Sequence, residues 1–145
     1  MRIQGRLGMS SDPWDVLKCR NSYAVVGATR NTEKYGYLIF RLLADYGYPA
    51  FAVNPHYESI DGLPCYNSLS ALPEVPEVVV SVVPPEVTEK IIEEANRLGV
   101  GTVWMPPGAG SAAAVAACER LGMEHVDDAC VILAVRHCGP RRTSD

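Results

Sequence analysis

Residues 22–36 read Ser22-Tyr23-Ala24-Val25-Val26-Gly27-Ala28-Thr29-Arg30-Asn31-Thr32-Glu33-Lys34-Tyr35-Gly36. The first five form a short apolar run without alternation, as in a strand buried on both faces. Gly27 ends the run, and eight mostly polar residues lead to Gly36. The period then changes. Leu38, Ile39, Leu42, Leu43 and Tyr46 fall on one helical stripe, which predicts a helix over 36–46 with Gly47 at its C-cap. A strand that turns at a glycine into a helix is the repeating unit of an α/β fold.

The same alternation continues outward. Residues 49–53 predict a second strand, ending at Asn54-Pro55. Residues 62–66 predict a short edge strand, where Pro64 is tolerated. Residues 68–72 read as one helical turn. Residues 77–83 contain the strongest strand run, and Pro84-Pro85 stops it and opens a helix to Leu98. That helix is expected to bury Val87, Ile91, Ala95 and Leu98, with Lys90, Glu93, Glu94 and Arg97 in water. Residues 100–105 and 124–126 are further strands, separated by an Ala-rich helix that Ser111 caps. Upstream, Asp12 caps a short helix that begins at Pro13. Residues 130–135 read either as a helical turn or as a strand. The pattern predicts an α/β, Rossmann-like doubly wound parallel sheet of five to six strands, helices on both faces, in the order 3-2-1-4-5-6. Residues 1–11 are expected to be a flexible lead-in, 12–138 the domain and 139–145 a disordered tail.

Composition narrows the function. The chain has 145 residues and a net charge of −4, a poor balance for non-specific nucleic-acid binding, which needs a basic face. No apolar run approaches the ~20 residues that span a bilayer, and the start lacks the apolar core of a signal peptide. Cys19, Cys65, Cys118, Cys130 and Cys138 are scattered, odd in number and without a CxxC pair. Reduced thiols and a cytoplasmic setting are the expectation. His56, His125 and His137 show no metal-ligand spacing.

Chemistry concentrates at three strand ends, which the predicted topology opens on one crevice. In the first, Gly27 lets backbone approach a phosphate closely, and the following helix directs its N-terminus at the same place. Ala28, Thr29, Arg30, Lys34 and Tyr35 complete this loop, with a hydroxyl and two cations among them. It matches neither GxGxxG nor a P-loop. The second end carries Asn54 and Pro55 where an NAD site usually places a carboxylate. Asn54 would not repel a phosphate on the ribose. The third end carries Val83 and Pro84. No paired carboxylates, Ser-His-Asp set or metal cluster emerges. Cys130 has no base near it in sequence, Trp104 and Met105 fit core packing, His56 lies on a surface loop, and Asp127-Asp128 suits a loop cap.

Together GATRNTEKYGY, the VNP after the second strand, DGLPCYNSL, SVVPP and VWMPPG resemble the stand-alone CoA-binding domain family. That family is similar to the N-terminal CoA-binding domain of the succinyl-CoA synthetase α subunit. The resemblance covers residues 22–136. It implies that Gly27, Ala28, Thr29, Arg30 and Lys34 surround the phosphates of coenzyme A. It further implies that Asn54 and Pro55 line the ribose and adenine side, and that Val83 and Pro84 flank the adenine. Two departures fall at the thiol end: Trp104-Met105 runs into Pro106-Pro107, and Cys130 is followed by the apolar Val131-Ile132-Leu133-Ala134. The synthetase's phosphohistidine belongs to a different domain, so ligase activity is not implied. The expectation is a non-catalytic binder of coenzyme A or an acyl-CoA, with homo-oligomer or protein partner left open. An NAD(P)-sensing regulator and a small acyl-CoA enzyme using Cys130 are the alternatives.

Overall fold

The computed structural model describes residues 9–20 and 22–141. Its elements run α1 (Pro13–Cys19), β1 (Tyr23–Val26), α2 (Tyr35–Asp45), β2 (Ala50–Val53), β3 (Ser59–Ile60), β4 (Leu63–Tyr66), a 3-10 turn at Leu69–Ala71, β5 (Val78–Ser81), α3 (Pro85–Leu98), β6 (Thr102–Met105), α4 (Ala112–Arg120), β7 (Glu124–Asp127) and α5 (Val131–Cys138). The sheet order is β3-β4-β2-β1-β5-β6-β7. Every neighbouring pair is parallel except β3 with β4. Without β3, the order is the expected doubly wound one.

Successive side chains of a strand point to opposite faces, and β1 shows what that builds. Tyr23 and Val25 join a core with Val16 and Leu17 of α1, Ile39, Phe40 and Leu43 of α2, and Val131 and Val135 of α5. Ala24 and Val26 join a second core with Ile92 and Ala95 of α3 and Ala114 and Cys118 of α4. Each large apolar side chain so buried contributes ~1.5–3 kcal/mol. The sheet is therefore covered on both sides, which is why its central strands read as unbroken apolar runs.

The structure adjusts some expectations and settles an open one. The sheet has seven strands, because residues 59–66 form a hairpin, with Ile60 paired to Leu63. Its turn is Asp61-Gly62, both at positive φ (52° and 79°), as a two-residue hairpin loop requires. The 130–135 run is helical, as α5. Leu38 and Val87 are exposed, so α2 and α3 are rotated slightly from the predicted faces. Finally, within the expected lead-in, residues 9–11 run beside β7. Ser10 forms a parallel bridge with His125, and Ser11 N–H donates to the His125 carbonyl at 2.8 Å. Within the expected tail, Arg141 N–H donates to the Tyr46 carbonyl at 2.8 Å. The remainder of those two expectations, residues 1–8 and 142–145, lies outside the described residues. Among the described residues, no helix is long and apolar enough to cross a membrane.

Candidate functional site

The chain leaves β1 through α2 on one face and leaves β5 through α3 on the other, although β1 and β5 are neighbours. This is the switch point where a doubly wound sheet opens a crevice at the carboxyl ends of its strands. All three predicted strand ends lie there, after the adjacent strands β2, β1 and β5.

Two glycines shape this strand end. Gly27 has φ +97°, and a Cβ on it would lie 2.3 Å from the Val82 carbonyl oxygen. A Cβ on Gly36 would lie 2.0 Å from the Gly27 carbonyl oxygen. The first turn of α2 thus sits directly on the strand-end turn. Periodicity marks Gly36 only as the helix start, though a glycine one loop beyond the strand-end glycine is the signal for close helix–strand packing. Ala28 is fully buried beneath the loop.

The head of α2 is open. Its N-cap is Lys34, whose side chain makes no capping hydrogen bond, so first-turn N–H groups face the loop with their partial positive charge. Lys34 and Tyr35 are exposed. α3 also has an N-cap without a side-chain bond, Pro84, but Pro85 carries no N–H, Val87 N–H donates to the Pro84 carbonyl at 2.9 Å, and Glu86 places a carboxylate in the first turn, so this head offers an anion less. Val83 is half-buried and Pro84 exposed beside it.

The loops are braced against each other. Asn54 Nδ2 donates to the Ala28 carbonyl at 2.8 Å, and Asn54 Oδ1 accepts from His56 N–H at 2.9 Å. Asparagine suits this place because an ionised aspartate could accept from His56 but not donate to Ala28. Thr29 Oγ1 accepts from Asn31 N–H at 3.2 Å and lies 3.2 Å from the Tyr57 hydroxyl. Arg30 Nε donates to the Ser59 carbonyl at 2.9 Å, and the guanidinium stands 5.1 Å from the Tyr57 ring centroid. Tyr57 and Ser59 escaped the sequence reading. No local pattern marks them, since their partners lie 28 and 29 residues earlier.

Other candidates fall into structural places. Trp104 is buried, and its indole N–H donates to the Ala129 carbonyl at 2.8 Å. Met105 is buried as well. Cys130 is the N-cap residue of α5. His56 is exposed, and so are Asp127 and Asp128. Cys65 reaches the site from β4, but burial pushes its thiol up, away from the thiolate form. Among the described residues, no group of three His, Cys, Asp or Glu could hold a metal ion. A 690 Å³ cavity lies at the opposite, amino end of the strands, lined by Ser11, Arg20, Thr102 and Glu124 among others. Those four polar groups already bond one another, so the cavity wall offers little unspent chemistry.

A Rossmann-like sheet with an uncapped helix and a close-approach glycine at its switch point defines a nucleotide-binding class of domain. The sequence profile of the CoA binding domain family matches residues 21–136, and the chain belongs to that family. Among curated proteins, it is 35% identical over 88 residues to an ADP-forming acetate–CoA ligase of Methanocaldococcus jannaschii, covering 60% of this chain and 12% of the ligase. It is 37% identical over 86 residues to ADP-forming acetate–CoA ligase I of Archaeoglobus fulgidus, covering 59% of this chain and 13% of the ligase. The chain therefore matches about an eighth of the length of these relatives. Among solved structures, a conserved hypothetical protein of Pyrococcus furiosus superposes with a TM-score of 0.75 at 37% identity, over 78% of this chain and 97% of that one.

Proposed function

We propose that this protein binds coenzyme A or an acyl-CoA through its 3′-phospho-ADP portion and performs no chemistry of its own. The observation that carries the reading is the arrangement at the switch point. A glycine turn on which α2 packs closely, the uncapped head of α2, and the cations Arg30 and Lys34 of the same loop stand at neighbouring strand ends of an acidic chain. Phosphates complement such a place, because helix N-termini favour anions and the cations supply charge-assisted hydrogen bonds. Gly27, Ala28, Thr29, Arg30, Lys34 and Tyr35 would receive the phosphates. Asn54 and Pro55 would border the ribose, and Val83 and Pro84 the adenine. Family membership supports coenzyme A over a dinucleotide, as does the Asn54 that stands where NAD sites carry an acid. Five free cysteines suit a reducing, cytoplasmic compartment.

Calorimetric titration with CoA, dephospho-CoA, NAD and NADP tests the reading. CoA should bind most tightly of the four. No heat with CoA at millimolar concentration, or tighter binding of NAD or NADP, would overturn it.

A further inference from the structure

Resting on the CoA reading above, we infer that Arg30 reads the phosphate on the ribose, that Tyr57 and Ser59 aim it there, and that Lys34 serves the pyrophosphate. In a doubly wound fold the linking phosphates sit at the first loop and helix head, and the adenosine ribose sits at the end of the second strand. Arg30 belongs by sequence to the first loop, yet its side chain has crossed to the segment that leaves β2. Nε donates to the Ser59 carbonyl at 2.9 Å, Nη2 lies 3.5 Å from Ser59 Oγ, and the guanidinium faces the Tyr57 ring. Tyr57 is itself held by the Thr29 hydroxyl. Together with the Asn54–Ala28 bond, three stitches join the β1 loop to the β2 end.

The chemistry of those partners matters. They are a carbonyl, a hydroxyl and an aromatic face, all neutral. Among the described residues no carboxylate lies within ion-pair distance of Arg30, whereas the nearby Arg41 is shared by Asp45 and Asp61. Asp61 is also occupied by the Tyr37 hydroxyl at 2.6 Å. Arg30 is thus fixed in direction without being neutralised, and most of its donor fork is left for an anion. Fixing a rotamer-rich side chain before the ligand arrives lowers the ordering cost of binding. Lys34 stands apart, at the uncapped head of α2. It can meet the linking phosphates there, together with the first-turn N–H groups.

CoA and dephospho-CoA differ only by the ribose phosphate, so their affinity ratio isolates the Arg30 contact. Titrations at low salt would compare the native protein with Arg30→Ala, Lys34→Ala, Tyr57→Phe and Tyr57→Leu, each checked for an unchanged melting transition. Arg30→Ala should weaken CoA about tenfold or more, leave dephospho-CoA within about twofold, and bring the ratio close to one. Lys34→Ala should weaken both ligands alike and keep the ratio. Tyr57→Leu should lower the ratio severalfold while dephospho-CoA still binds. Tyr57→Phe, which keeps the ring, should retain more of it. Equal losses for both ligands in Arg30→Ala would overturn the assignment while leaving the CoA reading intact. A native protein that binds neither ligand would overturn both. An unchanged ratio in Tyr57→Leu would remove Tyr57 from the positioning role.

Discussion

At Gly27 and Gly36 two backbone segments meet with no room for a methyl group, and this contact seats the head of α2 on the turn that ends β1. Gly36→Ala would place a Cβ 2.0 Å from the Gly27 carbonyl oxygen. Backbone cannot yield as a flexible side chain does, so α2 must shift, at a cost of ~1–3 kcal/mol for overpacking. Gly27→Ala adds a left-handed backbone at φ +97°, unfavourable by a further ~1–2 kcal/mol, to a contact of 2.3 Å with the Val82 carbonyl. Gly101, with nothing within 4 Å of its Cβ position, is the control, expected within ~0.5 kcal/mol of native as alanine. Urea unfolding of the three variants checks the order Gly101, Gly36, Gly27 from least to most damaging. A harmless Gly36→Ala would mean that helix and strand end do not touch as described. Gly27 was legible in the sequence because it ends an apolar run at the start of a helical pattern. The roles of Tyr57 and Ser59 were not, because they arise only when two strand ends become neighbours. Asn54 was legible as a polar strand-end residue, but not the internal use of its carboxamide on Ala28 and His56.

Helix α3 shows where periodicity reads an element correctly and its face slightly wrongly. Pro84-Pro85 and Gly99 marked its ends, and the structure starts it at Pro85 and caps it at Gly99 with φ +90°. Apolarity alone selected Val87, Ile91, Ala95 and Leu98 as the inner stripe. The buried residues are Thr88, Ile92 and Ala95, with Val87 38% exposed. A threonine takes the inner place because its hydroxyl has partners there: Ser81 Oγ at 2.9 Å and the Val83 carbonyl at 3.3 Å. Thr88→Val keeps the shape but leaves the buried Ser81 hydroxyl without this partner. It should cost ~1–3 kcal/mol, whereas Val87→Ser should stay within ~0.5 kcal/mol. Equilibrium unfolding distinguishes them, and a costlier Val87→Ser would restore the sequence-read face. The 59–66 hairpin was missed for a different reason. Asp61-Gly62 is a strong hairpin signal, but β3 spans only two residues, too few for alternation to show. The strand order was legible because a doubly wound sheet with right-handed crossovers leaves few arrangements.

On the scale of the whole molecule, the two ends of the sheet do different work. The carboxyl end carries the uncapped head of α2, with Arg30 and Lys34 outside any ion pair among the described residues. At the amino end, on the wall of the cavity there, Glu124 joins separate parts of the chain. Its Oε2 accepts from Ser11 at 2.6 Å, and its Oε1 accepts from Arg20 at 2.8 Å and from Thr102 at 2.5 Å. Residues 9–11, the end of α1, β6 and β7 therefore meet on one carboxylate. Burial pushes that carboxyl up, but the hydrogen bonds from Ser11 and Thr102 and the charge and bond of Arg20 outweigh it, so the group sits below its ordinary range. A carboxyl depressed in the folded state stabilises the fold above its unfolded value, ~4.3, and that contribution fades as pH falls through the lower folded value. Glu124→Gln retains the shape and loses the charge. Because the ion pair is partly exposed, its loss should cost on the order of 1 kcal/mol at pH 7. The stability gap from native protein should hold down to about pH 5, narrow below ~4.3 and close at lower pH. Unfolding curves taken from pH 7 to pH 2.5 would show this, and a gap that stays constant throughout would mean that the charge of Glu124 is not what joins these elements. CoA affinity measured on the same variant at pH 7 should remain native, because Glu124 and the candidate site lie at opposite ends of the sheet's strands.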